Sequence, residues 1–413
     1  MDYHRKYLKY KTKYTILKND FSKKQSTVHY THQQLGGQIT EPISEHTPSK
    51  NIYDANNDFT INLFENLDGA SNIFSPLSLS YALSLIHLAA LGNTNNQLTK
   101  VLGTKYDIDD LNLLNQQFNN SVIKMNTAFI INKKIRVNNE YLEMINGLAY
   151  VANDDFSNAK LIAYKVNNYI EKNTDGMILD VISADNITNN TIFIIVNTIY
   201  FKASWQYKFD PINTTKMKFH KTDSNVVDMM HQVDYFNYYE NKSVQLVELP
   251  YDERNYVMGI ILPRMYLEED GLDYSINNIP QFSRQEINEL INNIQYTKVD
   301  LYLPKFTQRK KYDMVPIFKK MGIIDIFNHN AQLDIMAKDA FISKIVHEAV
   351  IIVDELGTEA SAVTAIVAKE MAAPPGKQVK PKLFKADHAF IYYIRHIPSN
   401  LFIFYGDYQG NKN

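Results

Sequence analysis

The chain of 413 residues contains no cysteine, which excludes disulfide bonds, thiol nucleophiles, and zinc or iron–sulfur sites with cysteine ligands. An excess of charge is also lacking, since the formal net charge is only −2. A chain this close to neutrality creates no global field that attracts nucleic acid, so we expect no nucleic-acid partner for the core. The most apolar stretch, TIFIIVNTIYF (191–201), is too short to span a membrane and predicts a buried strand.

The signatures of the common enzyme classes are missing as well. The sequence has no G-x-S-x-G, no Walker loop, no H-E-x-x-H and no G-x-G-x-x-G. His220 and His231 flank a pattern typical of strand and turn. We therefore attribute their proximity in the sequence to chance and do not predict a metal site there. The sequence therefore predicts a protein that is not an enzyme and that holds neither a metal nor a cofactor.

Residues 1–50 differ in composition from the rest of the chain. Six apolar or aromatic side chains recur at spacings of four and three, typical of one stripe of a helix: Tyr3, Tyr7, Tyr10, Tyr14, Leu17 and Phe21. The other faces of this helix are basic, and residues 25–50 have the composition of a linker. We interpret 1–50 as a solvated extension, the alternative being a helix that binds an acidic surface or a partner helix. The pattern becomes globular from residue 51 and stays so to residue 413.

Within 51–413, helix and strand patterns alternate irregularly, which predicts an α+β fold. Ser75 as the cap and Pro76 at the first helical position predict a helix that continues to Gly92. Thr94 and Gln97 stand at capping-box spacing and predict the start of the next helix.

Residues 354–382, DELGTEASAVTAIVAKEMAAPPGKQVKPK, change character midway. Read with a period of two, one face is uncharged and small at its start: Thr358, Ala360, Ala362, Thr364, Ile366 and Ala368. Prolines and lysines follow and cannot continue a central strand. The segment therefore begins as a candidate central strand and ends as an exposed loop, and a flexible surface loop with an alanine-rich stem is the alternative.

The opening E-x-G-T-E-A of this segment resembles the hinge and reactive loop of the serpins, a family of serine protease inhibitors. Further segments resemble the family in the same order along the chain: 57–67, 72–94, 197–211, 303–323, 343–360, 384–396 and 401–408. The match covers 51–413. The tyrosine and lysine repeat of the extension resembles the amino termini of giant DNA virus proteins. Because a secretory signal is also lacking, we expect a cytoplasmic or virion-associated protein over a classically secreted one.

The resemblance implies the serpin fold, with three β-sheets, eight or nine helices and an exposed reactive loop at about 355–382. It also implies a suicide-substrate inhibitor of serine endopeptidases. The protease serine attacks the scissile carbonyl, and the cut loop enters the large sheet as a new strand before the acyl-enzyme hydrolyses. The implied partner is the target protease, bound by a monomer. A serpin-fold protein that serves as a carrier, chaperone or structural component remains the alternative.

By the family's spacing, the scissile bond lies between Met371 and Ala372, fourteen residues after the hinge glycine, with Lys369 as the alternative scissile residue. Methionine suits chymotrypsin-like or elastase-like proteases, and lysine suits trypsin-like ones. The implied hinge comprises Glu355, Gly357, Thr358, Glu359, Ala360, Ser361 and Ala362.

Four polar residues resemble the family's hydrogen-bonded gate beneath the large sheet: Ser75, Ser78, Asn197 and His347. At the top of the sheet, where the hinge enters, we expect Glu355 to pair with Lys305 and Trp205 to pack nearby. The family's polyanion-binding helix falls near 104–120, whose acidic residues argue against activation by heparin: Asp107, Asp109 and Asp110.

Overall fold

The computed structural model describes residues 51–69, 71–188, 191–220, 225–264, 279–358 and 380–410, so the predicted extension 1–50 lies outside it. Eight α-helices lie in these ranges: α1 (Ile52–Asn66), α2 (Pro76–His87), α3 (Gly92–Leu102), α4 (Ile108–Phe118), α5 (Asn139–Met144), α6 (Ala159–Asn173), α7 (Arg284–Asn292) and α8 (Met314–Met321). Sixteen strands lie in the same ranges: β1 (Ile73–Phe74), β2 (Ile123–Asn132), β3 (Tyr150–Asp154), β4 (Phe193–Phe201), β5 (Ala203–Ser204), β6 (Thr215–Lys218), β7 (Val226–Glu240), β8 (Val244–Pro250), β9 (Tyr256–Pro263), β10 (Gln295–Pro304), β11 (Phe306–Asp313), β12 (Lys344–Val353), β13 (Gly357–Thr358), β14 (Lys382–Lys385), β15 (Phe390–His396) and β16 (Leu401–Tyr408). No helix in the described ranges is long and apolar enough to cross a membrane.

A seven-stranded sheet forms the centre of the molecule, in the order β3-β2-β4-β12-β13-β5, with β11 on the other edge of β12. Strands β4 and β12 run parallel and pair from Ile194–Lys344 to Tyr200–Val350. We call the boundary between them the seam. Beyond its upper end the two strands part, and the short β13 lies between β12 and β5.

Both faces of this sheet are covered. Helix α6 packs over one face through Ile162, Val166 and Ile170, and the opposite face joins the main core. All nine residues of β4 are buried, without the alternation of a half-exposed strand, because a strand whose sheet is covered on both faces buries every side chain.

Helix α2 lies beneath the sheet and is buried over all twelve residues. As predicted, Ser75 caps it and Pro76 opens it. The predicted end at Gly92 is wrong, since the helix stops at His87 and Gly92 is instead the first residue of α3. A helix buried all round has no apolar stripe whose end the sequence could reveal.

The predicted capping box of α3 is also wrong, because tertiary contacts take both side chains. Thr94 Oγ1 accepts the backbone N–H of Gln332 at 3.0 Å. The side-chain oxygen of Gln97 accepts the N–H groups of Ile324 and Asp325 at 2.8 and 2.9 Å. The two side chains have the spacing of a capping box, but their actual partners lie more than 200 positions away in the sequence, where a local pattern cannot reveal them.

The second sheet has nine strands in the order β1-β16-β15-β9-β8-β7-β10-β14, with β6 on β7. Three sheets were expected, and the described strands form two hydrogen-bonded networks. The reason is β7, whose fifteen residues pair with β6 and β10 and then, over the last four, with β8. One long strand thus makes two sheets continuous, while the predicted α+β architecture is confirmed.

The acidic residues expected to oppose heparin binding have a local structural role. Asp107 caps α4 and accepts the N–H of Asp110 at 2.9 Å, while the Asp110 carboxylate accepts the N–H of Asp107 at 3.1 Å. Carboxylates at this helix start also interact favourably with the helix dipole.

Candidate functional site

The four predicted gate residues lie in one buried hydrogen-bond network beneath the seam, together with Thr127 of β2. Ser78 Oγ donates to Asn197 Oδ1 at 2.9 Å, and His347 Nδ1 bonds the same oxygen at 2.8 Å. Asn197 Nδ2 donates to the Ser78 carbonyl and to Thr127 Oγ1, at 3.0 and 3.1 Å. Ser75 donates its backbone N–H to His347 Nε2 at 3.2 Å. We call this cluster the gate network.

The gate network crosses the seam. Asn197 on β4 and His347 on β12 are register partners, so the hydrogen bond between their side chains joins the two strands directly. A strand that entered the seam would have to replace this bond, because a buried polar group left without a partner costs about 1–3 kcal/mol.

His347 is held in one tautomer. Its Nε2 accepts from a backbone N–H, so Nδ1 carries the proton and donates to Asn197. Burial lowers the pKa of His347 to about 3, although the contact with Asn197 opposes the shift. The ring is therefore neutral near pH 7, and both of its nitrogens have partners.

Lowering the pH from 7 to 5 is expected to reduce the free energy of unfolding through His347. In the unfolded chain a histidine binds a proton near pH 6.5, whereas the folded ring stays neutral down to about pH 3. The unfolded state therefore gains protons first, and stability falls as the pH falls through this window. At pH 5 the loss from this group is about 2 kcal/mol. Urea denaturation across the range measures it.

The variant His347→Gln isolates this contribution, because glutamine keeps a donor and an acceptor but does not titrate. We expect its stability profile to be flatter by the amount above. His329→Gln, at an exposed histidine, is the matched control and should follow the wild type. Parallel profiles for the wild type and His347→Gln would contradict the assignment.

The first two residues of the predicted strand already lie in the sheet as β13. Thr358 pairs with Val353 on one side and with Ala203 on the other. Its side chain is fully buried, with Oγ1 2.6 Å from the hydroxyl of Tyr251. The start of the hinge thus occupies the gap that opens where β4 and β12 part.

Gly357 is required by the close approach of β13 to β5. A Cβ at this position would lie 2.2 Å from the carbonyl oxygen of Ala203 and 2.7 Å from Cα of Ser204. The backbone φ of +156° also favours glycine. A side chain here would push the hinge out of the gap.

The predicted ion pair at the top of the sheet is present. Lys305 Nζ lies 2.7 Å from Glu355 Oε2, and Thr214 Oγ1 donates to Glu355 Oε1 at 2.8 Å. Burial raises the pKa of the Glu355 carboxyl, but these two hydrogen bonds outweigh it and hold the pKa below its ordinary value. The carboxylate is therefore charged and fixed at the first residue of the implied hinge.

Trp205 packs beside residues 354–356, close to this ion pair, as expected. Its indole N–H donates to the carbonyl of Asp354 at 2.8 Å, and its backbone N–H donates to the carbonyl of Leu356 at 2.9 Å. The ring stacks on Tyr251, with centroids 4.6 Å apart. These contacts fix the chain that leads into β13.

A further set of contacts crosses the seam on the face toward α6. The residues between α6 and β4 are continuous with β4, on one side of the seam. They are nevertheless hydrogen-bonded to β11, which lies on the other side of the seam, next to β12. Arg309 donates to the Met177 carbonyl at 3.2 Å, and Lys311 donates to the Asp180 carbonyl at 2.8 Å. Arg309 Nε also pairs with the buried Glu348 of β12 at 2.6 Å. These contacts join the two sides of the seam in the closed sheet.

The remaining predicted site residues lie outside the described ranges: Glu359, Ala360, Ser361, Ala362, Lys369, Met371 and Ala372. Sequence reasoning missed Thr127, Thr214 and Tyr251. Thr127 interrupts an apolar strand, which is a usable sign of a buried polar network. The other two lie in ordinary turn and strand patterns that carry no such sign.

Known proteins resemble this chain over most of its length. A family model described as serpin (serine protease inhibitor) matches residues 54–409. An uncharacterised serpin-like protein of Acanthamoeba polyphaga mimivirus is 53% identical over 412 residues, which are 99% of this chain and 100% of that protein. Leukocyte elastase inhibitor of Sus scrofa is 33% identical over 377 residues, 85% of this chain and 97% of that protein. The crystal structure of Serpin48, a highly specific serpin of the insect Tenebrio molitor, matches with a TM-score of 0.74 at 26% identity, covering 89% of this chain and 100% of that one. The chain belongs to the serpin family.

Proposed function

We propose that this serpin inhibits serine endopeptidases as a suicide substrate. The protease serine attacks a peptide bond of the reactive loop and forms an acyl-enzyme. The cut loop then enters the seam before the ester hydrolyses and carries the tethered protease with it. The observation that carries the proposal is the position of β13, which is already paired with β12 on one side and, on the other, with β5, separated from β4 only by Lys202.

The register of β13 supports insertion without a shift. Continued by five residues from Thr358, the antiparallel pairing brings Val363 opposite Thr198 of β4 and, on the other side, opposite Glu348 of β12. Thr198 and Glu348 are themselves register partners in the closed sheet. A single inserted strand could therefore pair in register with β4 and with β12 at the same time.

The same register explains the small side chains of the hinge. In a strand inserted on this register, Ala362 would lie between Ile199 and Ala349, on the buried face toward the main core. Thr364 would lie between Asn197 and His347, where its hydroxyl could replace the bond that insertion breaks. On this register the uncharged face found in the sequence would point toward the core after insertion.

We propose Met371–Ala372 as the scissile bond, with Lys369 as the alternative. From Gly357 to Met371 an inserted strand of about fifteen residues at ~3.3 Å each would be ~50 Å long, enough to cross the domain. Methionine points to a protease with an apolar specificity pocket, as the name of the porcine relative also suggests for that protein.

The test is incubation with chymotrypsin, pancreatic elastase and trypsin in turn. We expect one of them to form an adduct that survives SDS electrophoresis, since the acyl link is covalent. Mass spectrometry should find the released peptide 372–413 if Met371 is the scissile residue, or 370–413 if Lys369 is. Cleavage of the loop by all three proteases without any adduct would contradict inhibition and favour a carrier, chaperone or structural role.

A further inference from the structure

A polar cavity of about 350 Å³ lies at one edge of the seven-stranded sheet, where β2 and the start of β3 meet the ends of α4 and α6. We call it the edge cavity. Its volume falls in the range of about 300–1,000 Å³ that is typical of small-molecule sites. Four amide side chains, each with donor and acceptor groups, lie along its wall: Asn115, Asn119, Asn126 and Asn173. The edge cavity can therefore hydrogen-bond a ligand that has several polar groups.

Two aromatic rings give the edge cavity an apolar wall. Tyr150, the first residue of β3, and Tyr169 of α6 stack with centroids 4.3 Å apart and planes inclined by 17°. Both side chains are half-buried. A wall of tyrosine beside amide groups suits a flat ring with polar atoms at its edge, such as a nucleobase, because every nucleobase has a face that packs on aromatic side chains.

A single lysine supplies the only charge on the lining of the edge cavity, all of which consists of described residues. Lys124 of β2 is half-buried, and no carboxylate of a described residue pairs with its ammonium group. An ammonium group of this kind attracts an anion and binds phosphate as a point charge. The lining therefore favours a ligand that carries one anionic group.

The edge cavity is connected to the gate network and to α6. Thr127 lines the cavity and also accepts the hydrogen bond from Asn197 Nδ2 at 3.1 Å. The neighbouring Asn126 donates to the carbonyl of Asn173, the last residue of α6, at 3.4 Å. A ligand in the edge cavity would therefore contact β2 next to the gate network and α6 at its end.

Helix α6 packs over both sides of the seam. Its buried residues share one cluster with Ile194 of β4 and Val346 of β12. An inserted strand would move β4 and β12 apart by one strand spacing, ~4.8 Å. Helix α6 would then lose its contacts on one side, and its position over β2 would change. The observed shape of the edge cavity therefore belongs to the closed sheet.

We propose that the edge cavity binds a nucleoside monophosphate and that this ligand stabilises the closed sheet. The base packs against the tyrosine pair, the amides bind its polar edge and the ribose, and Lys124 binds the phosphate. Binding itself is a property of the intact protein, whereas its effect on inhibition rests on the proposed function. A ligand that prefers the closed sheet shifts the equilibrium toward it and so opposes insertion.

Binding is measured by isothermal titration calorimetry of the full chain with adenosine monophosphate and, separately, with inorganic phosphate. Lys124→Gln and Tyr169→Leu are each expected to weaken the binding of adenosine monophosphate about tenfold, because one removes the charge and the other the ring. Inorganic phosphate should bind at least about tenfold more weakly than the nucleotide. Lys160→Gln is the matched control, since this lysine is exposed at the other end of α6 and its loss should leave binding unchanged.

The preference for the closed sheet is measured on the intact protein and on protein cut in the reactive loop. At about 100 times the dissociation constant, adenosine monophosphate should raise the melting temperature of the intact protein by about 5 °C. The cut protein should bind it at least about tenfold more weakly. With whichever of chymotrypsin, pancreatic elastase and trypsin forms the adduct, the same concentration should raise the stoichiometry of inhibition about threefold.

The outcomes separate this proposal from the proposed function. No binding of adenosine monophosphate, or equal binding by the wild type, Lys124→Gln and Tyr169→Leu, overturns the site. Inorganic phosphate that binds as tightly as the nucleotide also overturns it, since the rings and amides would then contribute nothing. Equal binding by the intact and the cut protein overturns the preference for the closed sheet. If nucleotide binds as expected but the wild type forms no adduct, inhibition has failed and the site stands. Unchanged urea denaturation midpoints establish that the variants are folded.

Discussion

Ala360→Arg is expected to abolish trapping while leaving the loop cleavable. In a strand inserted on the register of β13, residue 360 would lie between Phe201 and Ile351, both of which are 1% exposed. An arginine there would be buried without a partner, at a cost of several kcal/mol. A barrier to insertion raised by about 3 kcal/mol slows insertion more than a hundredfold. Hydrolysis of the acyl-enzyme would then be faster than insertion. The stoichiometry of inhibition should rise from about one to more than about ten inhibitors per protease.

Glu359→Arg provides the matched control. On the same register an inserted residue 359 would lie on the opposite face, between Lys202 and Ile352, which are half-buried. A charge already stands at this position, so another charge there should be tolerated and trapping should persist. If the two variants had equal stoichiometries, whether low or high, the assignment of faces would be wrong.

Local chemistry in the sequence predicted some of these features well. Ser75 followed by Pro76 determines the start of α2, because a side-chain cap and a proline at the first helical position act within four residues. The period-two pattern of the hinge is also local in the sequence, but of the strand it predicts the structure describes only Gly357 and Thr358. The gate residues, in contrast, were identified only through the family resemblance, since nothing local indicates that Asn197 and His347 lie side by side.

Other features depend on contacts between distant segments and could not be predicted. Gln97 has the spacing of a cap but bonds residues of another loop. Gly92 follows an apolar run, yet it opens a helix instead of ending one. The length of β7 was also not foreseen, because its pairing changes from one neighbour to another along a single strand.

Cleavage of the loop is expected to raise the melting temperature by about 20 °C or more. Of the loop residues that the structure describes, Gly357 and Thr358 lie between strands of the sheet. Insertion as far as Met371 adds about thirteen residues with partners on both edges. At about 1 kcal/mol net for each hydrogen bond, the gain is on the order of ten kcal/mol. For a domain of this size one kcal/mol corresponds to roughly 2 °C.

The cleaved Ala360→Arg variant tests whether this gain comes from insertion. Its loop is cut, but the arginine at position 360 opposes entry only two residues beyond Thr358, which is already in the sheet. We therefore expect a rise in melting temperature well below that of the cleaved wild type. Equal rises in the two proteins would mean that the stabilisation has another source.

The most direct test of the account is thermal unfolding, followed by circular dichroism, of the intact protein and of the protein cut only in the reactive loop. If the intact fold is metastable and insertion of the cut loop stabilises it, the cut protein unfolds about 20 °C or more above the intact one and shows additional strand signal. Identical melting temperatures, with no added strand signal, would contradict the claim that the intact fold is metastable.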